Sequence, residues 1–236
     1  MAPATSTGEE MRRRIPCLRR VSRRSGALLA VLAAATAATP AHAGIAHDPR
    51  PVFGAAQSVR SEKVDLFPKW TGMLDRYFAE AKLTDRPCSD AAPNRCHLQR
   101  WKAYLETLRG HARLSILQDV NRFANVARYV TDLVNYGVPD YWATPRQFLV
   151  KDGDCEDYAI AKFMSLRALG FDNDEMRIVV LNDLNLRTAH AVLIVYVDGV
   201  AWLLDNQVPE VVRADAVRHY RAIFSINETA WWLYRY

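Results

Sequence analysis

What this 236-residue sequence lacks narrows its function before any motif is considered. It has no basic stripe after Gly44. The net charge of +5 is carried by the first 43 residues, where Arg12, Arg13, Arg14, Arg19, Arg20, Arg23 and Arg24 face only Glu9 and Glu10. The remainder is near neutral, so nucleic-acid binding and charge-driven binding to lipid surfaces lose their main physical support. It also has no long hydrophobic run: Ala27 to Ala38 offers about 12 apolar residues against the roughly 20 needed to span a bilayer. Cysteine is scarce, at four, and no internal repeat or low-complexity tract follows the first 43 residues.

Those 43 residues have the order of an export signal: arginines, an apolar stretch, then Ala41-His42-Ala43 as a signal-peptidase site. The rival reading is an uncleaved anchor, which the short apolar stretch disfavours. The expected organisation is a signal peptide over 1–43, a flexible lead-in over 44–63 containing Pro49 and Pro51, and one domain over 64–236. Cys17 leaves with the signal. Cys88 and Cys96 flank a polar, proline-containing loop and can pair in an oxidising compartment. Seven residues between them is the wrong spacing for haem attachment, and His97 alone supplies too few further ligands for zinc. Cys155 is left as an odd thiol.

Apolar residues recur at helical spacing over 64–81, 98–108 and 114–135, predicting three amphipathic helices. Thr144-Pro145 interrupts that pattern, and a short helix or turn follows over 146–150. After the Asp152-Gly153 turn, Asp154 is suited to N-cap a helix from Cys155 to Leu169, with Asp157 in the capping-box position and Gly170 as the stop. Strands are expected at 177–181 and 189–197, with Asp198-Gly199 as a hairpin turn before a strand at 200–205. Residues 216–220 read as a helix preceding a terminal strand around Trp231-Trp232-Leu233-Tyr234. The fold class is α+β, with a helical front half and a small antiparallel sheet behind it.

The chemistry centres on Gly153-Asp154-Cys155-Glu156-Asp157-Tyr158. A cysteine in the first helical turn sits among unpaired N–H groups at the positive end of the helix dipole, which favours thiolate. The flanking acids oppose this and need a separate explanation. A two-residue turn at Asp198-Gly199 pairs Val197 with Val200, so Val192 faces Asp205 and His190 becomes its diagonal neighbour, roughly 7–8 Å away at the backbone. Asp205 can then orient His190, and His190 can serve Cys155 as base. Each residue also has a plain structural reading, as a strand histidine, a strand-ending turn and helix caps. The run Asp172-Asn173-Asp174-Glu175 reads as a solvated turn.

Four blocks, Asp140-Tyr141-Trp142-Ala143-Thr144-Pro145, Gly153 through Lys162, His190-Ala191-Val192-Leu193 and Leu204-Asp205-Asn206, resemble the bacterial transglutaminase-like cysteine proteinases. The resemblance spans roughly 121–207 and implies a papain/transglutaminase-like fold, with Cys155 as nucleophile, His190 as general base and acid, and Asp205 as its orienter. In the LapG-type branch, periplasmic proteases that release large surface adhesins, calcium is required. The resemblance thus implies calcium bound near Asp154, Glu156 and Asp157, a protein substrate, a periplasmic location and regulation by a membrane receptor. Trp142 is a candidate for the cleft wall or the oxyanion hole, or else an aromatic core anchor. Two alternatives stay open: acyl transfer from glutamine to an amine, and a calcium-binding interaction domain without turnover.

Overall fold

The computed structural model describes residues 46–47, 50, 52–81 and 93–236. The expected signal peptide and Cys88 lie outside these residues, and Cys96 is described only by its backbone, so the expected disulfide lies outside them too. The described chain forms β1 (Ala46–His47), β2 (Gln57–Ser61), α1 (Pro68–Ala81), α2 (Pro93–Leu108), α3 (Arg113–Ala124), α4 (Asp132–Tyr136), α5 (Pro145–Lys151), α6 (Cys155–Ala168), β3 (Met176–Asp183), β4 (Thr188–Val197), β5 (Val200–Leu204), β6 (Val212–Arg213), β7 (Tyr220–Ile226) and β8 (Trp231–Arg235). No helix among the described residues is long and apolar enough to cross a membrane.

All eight strands join one antiparallel sheet in the order β1-β2-β8-β7-β3-β4-β5-β6. The sheet is therefore larger than the sequence suggests, and three expectations change with it. Residues 44–63, read as a lead-in, contain β1 and β2, and β2 pairs along its length with β8. Residues 216–220 are not helical: a 3-10 turn ends at Ala216 and β7 begins at Tyr220, alternating buried Tyr220 and Ala222 with exposed Arg221 and Ile223. The helix expected to reach residue 135 stops at Ala124, because the following segment leaves the helix to bond the turn before α6, with Val130 N–H donating to Gly153 O at 2.9 Å. A new short helix, α4, starts after Thr131 and ends at Gly137, whose φ of +70° suits glycine.

The β4–β5 hairpin follows the expected register. Val197 pairs with Val200 and Leu193 with Leu204. Asp198 and Gly199 both adopt positive φ, as this tight turn demands.

Helix α6 is the centre of the molecule. Every residue from Asp157 to Leu166 is buried, so it is apolar on nearly all sides rather than along one stripe. It packs on β3 and β4 and against α3 and α5. Phe163 meets the fully buried Trp70 edge-on at 5.7 Å, and Trp70 meets Trp142 at 6.1 Å, tying α1 and the 140–144 segment to the same core. The opposite face of the sheet buries a second cluster that includes Phe53, Leu181, Val192, Tyr220 and Trp232.

Candidate active site

Cys155 is the first residue of α6 and carries a free thiol. Its thiol donates to Glu156 Oε2 at 3.2 Å, and the Ala191 N–H is directed at the sulfur. Ala191 follows His190, so the thiol sits at the end of β4 that carries the histidine. His190 Nε2 lies 2.9 Å from Asp205 Oδ1, with both side chains buried. An ionised carboxylate only accepts, so Nε2 carries the proton and Nδ1 is the nitrogen left to act as base. Asp205 also accepts from Gln207 N–H on Oδ1 at 2.9 Å and from the Tyr220 hydroxyl on Oδ2 at 2.7 Å. Burial opposes ionisation of Asp205, but the hydrogen bonds from His190, Gln207 and Tyr220 hold its carboxyl below the usual range. The start of α6 thus sets Cys155 against the residue that follows His190, and the β4–β5 hairpin pairs His190 with Asp205.

Trp142 is largely buried and meets Trp70 edge-on. Its ring is buried in the main core, and its carbonyl accepts from Arg76 Nη2 at 2.6 Å, which fits the aromatic-anchor reading.

The acids beside Cys155 do not cap α6. Asp154 occupies the N-cap position but makes no side-chain cap bond; its Oδ2 instead accepts from the Asp132 N–H at 3.2 Å. Asp157 Oδ1 accepts from the Ala143 N–H at 2.7 Å, and Asp132 Oδ2 accepts from the Tyr141 N–H. The Asp140 to Pro145 block is therefore a backbone cradle for carboxylates. It is fixed at one end by a capping box at the start of α5, where Thr144 and Gln147 bond reciprocally, and along its length by Arg76, which also lies over the Tyr141 ring.

This arrangement fits a hard cation. Asp132 Oδ1, Asp154 Oδ1 and Asp157 Oδ2 are buried without a hydrogen-bond partner. One oxygen from each of these residues lies within 4.8 Å of the others, and Asp132, Asp140 and Glu156 form an overlapping group at the same spacing. Oxygens about 2.3–2.6 Å from a shared calcium have that spread. With these carboxylates alone, burial first and mutual repulsion second raise Glu156 to about 8. Burial, with the charges of neighbouring acids, likewise raises Asp132 to about 6 and Asp157 to about 9, and Asp154 is raised by burial. The thiol is pushed well above its ordinary value by burial and by Glu156, against the lowering expected from the helix N-terminus. A cation among these acids reverses the sign of the local field.

Sequence reasoning named Asp154, Glu156 and Asp157 as candidates but not Asp132 and Asp140, which cluster with them, nor Tyr220, which bonds Asp205. Asp132 was hidden inside a supposed continuous helix, although Thr131-Asp132 with Gly137 five residues later is a start and stop signal for a short one.

The sequence model described as "Bacterial transglutaminase-like cysteine proteinase BTLCP" matches residues 86–233. Among solved structures, Legionella pneumophila LapG is similar at 30% identity with a TM-score of 0.54, covering 66% of this chain and 83% of that one. Its calcium-bound form gives 30% identity and a TM-score of 0.55, covering 67% and 84%. Its EGTA-treated form is similar at 30% identity and a TM-score of 0.54, covering 66% and 81%. No curated protein sequence matches. With a matched region that takes in Cys155, His190 and Asp205 together, the chain belongs to the bacterial transglutaminase-like cysteine proteinase family and is a cysteine peptidase.

Proposed function

We propose that the chain hydrolyses a peptide bond in an exported protein, with Cys155 as nucleophile, His190 as general base and acid, and Asp205 holding the imidazole. The observation that carries this reading is the Cys155 thiol against the Ala191 N–H beside the buried His190–Asp205 bond. His190 Nδ1 takes the thiol proton as sulfur attacks the scissile carbonyl carbon. The C–N bond then breaks, and the amine leaves with that proton, forming a thioester. Water, giving a proton to His190, attacks the thioester carbonyl, and the thiol is released as the acid product leaves. Unpaired N–H groups at the start of α6 are suited to a developing oxyanion.

Asp132, Asp154, Glu156 and Asp157 would hold calcium, which supplies positive charge next to the nucleophile. In support, LapG has been solved calcium-bound, and the donor set here leaves three buried oxygens unpaired. The proposed target is an exposed segment of a surface protein, with a large adhesin as the specific candidate, outside the cytoplasm and under control of a membrane receptor.

The test is a proteome-derived peptide library digested by the chain from Gly44, with calcium or EGTA, beside Cys155→Ala and a labelled amine. Cleavage that needs both Cys155 and calcium is expected. Incorporation of labelled amine in place of hydrolysis selects the transferase alternative. No Cys155-dependent product of either kind overturns the enzymatic reading.

A further inference from the structure

A histidine alone does not fix the orientation of a buried carboxylate. The terminal torsion of aspartate is broad, and its two oxygens are chemically equivalent until their partners differ. At Asp205 they differ. Oδ1 receives His190 Nε2 and the Gln207 N–H, both at 2.9 Å, whereas Oδ2 receives the Tyr220 hydroxyl at 2.7 Å. Tyr220 is 3% exposed, so rotating Asp205 out of this arrangement strands a buried hydroxyl as well as the imidazole.

Tyr220 is itself held from an unexpected direction. Phe53 packs edge-on against its ring at 5.5 Å and an interplanar angle of 83°. Phe53 has φ +52° and Gly54 φ +70°. A bulky non-glycine residue in this region is strained, and such strain persists only where surrounding structure enforces it. Here the Ala55 N–H bonds Val52 O at 3.2 Å and the Ala56 N–H bonds Arg235 O at 2.9 Å, closing a tight turn that drives the Phe53 ring inward. This turn lies outside residues 86–233 matched by the family.

We propose that Tyr220 is a positioning residue for the His190–Asp205 pair and that the strained Phe53-Gly54 turn holds it in place, making the segment before β2 part of the active-site support. The inference rests on the assignment of His190 and Asp205 above.

The deciding variant is Tyr220→Phe in the calcium-loaded chain, which keeps the ring packing and removes only the hydroxyl. On a peptide identified from the library, kcat is expected to fall about tenfold with KM unchanged, less than the 10²–10⁴ that loss of a general base costs. The His190 Nε2–H proton signal, downfield while bonded to the carboxylate, is expected to move upfield or vanish by exchange, with the melting temperature held within a few degrees. Phe53→Leu, which leaves the hydroxyl in place, is expected to shift the same signal in the same direction by less. An unchanged signal and unchanged kcat in Tyr220→Phe overturn the proposal. If Tyr220→Phe does not fold, an unchanged signal in Phe53→Leu overturns it. If the parent cleaves no peptide, the peptidase reading fails while the His190 signal still decides the role of Tyr220.

Discussion

Gly153 and Asp157 occupy adjoining space so closely that a Cβ at position 153 would lie 2.7 Å from the Asp157 Cβ and 2.9 Å from its Cγ. Real side chains do not approach that closely, so the glycine two residues before Cys155 admits the Asp157 carboxylate in the first turn of α6. Its role is steric, which distinguishes it from a glycine retained for a left-handed backbone. Gly153→Ala should push Asp157 off the Ala143 N–H and disperse the acid cluster. Calcium affinity by isothermal titration should fall at least about tenfold, and stability by about 1–3 kcal/mol, as for other overpacked sites. Parent-like affinity in Gly153→Ala would mean that Asp157 is not a ligand.

The acid cluster also sets a pH dependence whose sign follows from its shifts. Asp132 is raised to about 6, Glu156 to about 8 and Asp157 to about 9, so between about pH 4 and 9 these three acids hold more protons in the folded chain than in the unfolded one, outweighing the opposite effect of Lys162. Stability then falls as pH rises. In EGTA the melting temperature should therefore drop from pH 5 to pH 9. With calcium the fall should flatten, because cation and protons compete for the same oxygens, and the gap between the two melting curves should widen with pH. Parallel curves would separate calcium from this cluster.

The same cluster shows where sequence reading stopped. Asp154 and Asp157 are the residue types that cap helices, and types alone do not distinguish a cap from a ligand. The distinction lies in the N–H groups of Asp132, Tyr141 and Ala143, which carry no sequence signature. The His190–Asp205 pair was legible for the opposite reason: Asp198-Gly199 permits one tight turn, and that turn fixes the register of everything beside it. Strands β2 and β7 were missed because partners distant in sequence, β8 and β3, create them.

Lys162 lies on α6 two turns beyond Cys155, fully buried, and its Nζ has no hydrogen-bond partner among protein groups. Burial lowers its ammonium to about 7, against the support of the Asp205 charge. Below about pH 7 the folded chain carries a buried charge at full cost; as pH rises toward the unfolded value that cost is relieved, so the Lys162 contribution to stability grows with pH. Lys162→Met should stabilise the chain at pH 6 by on the order of 1–4 kcal/mol, with the gain shrinking by pH 9.5 in urea unfolding. Destabilisation at pH 6 would instead show that the ammonium is paired and structurally required.

Asp205 is held ionised by its three donors, which makes it a fixed anion rather than a titrating participant across the working range. In the mechanism proposed above it keeps the proton of neutral His190 on Nε2 and leaves Nδ1 as the base. Asp205→Ala removes the acceptor on Nε2 and lets neutral His190 carry its proton on Nδ1, where it cannot accept from Cys155. The expected loss in kcat is on the order of 10²–10⁴, as in other histidine–carboxylate pairs. Because the fault is a tautomer, the loss should persist on the plateau of the pH profile, while any movement of the acid limb reports only the removal of the neighbouring charge. A plateau rate near the parent in Asp205→Ala would show that Asp205 does not set the tautomer of His190, and the fixed-anion role would fall.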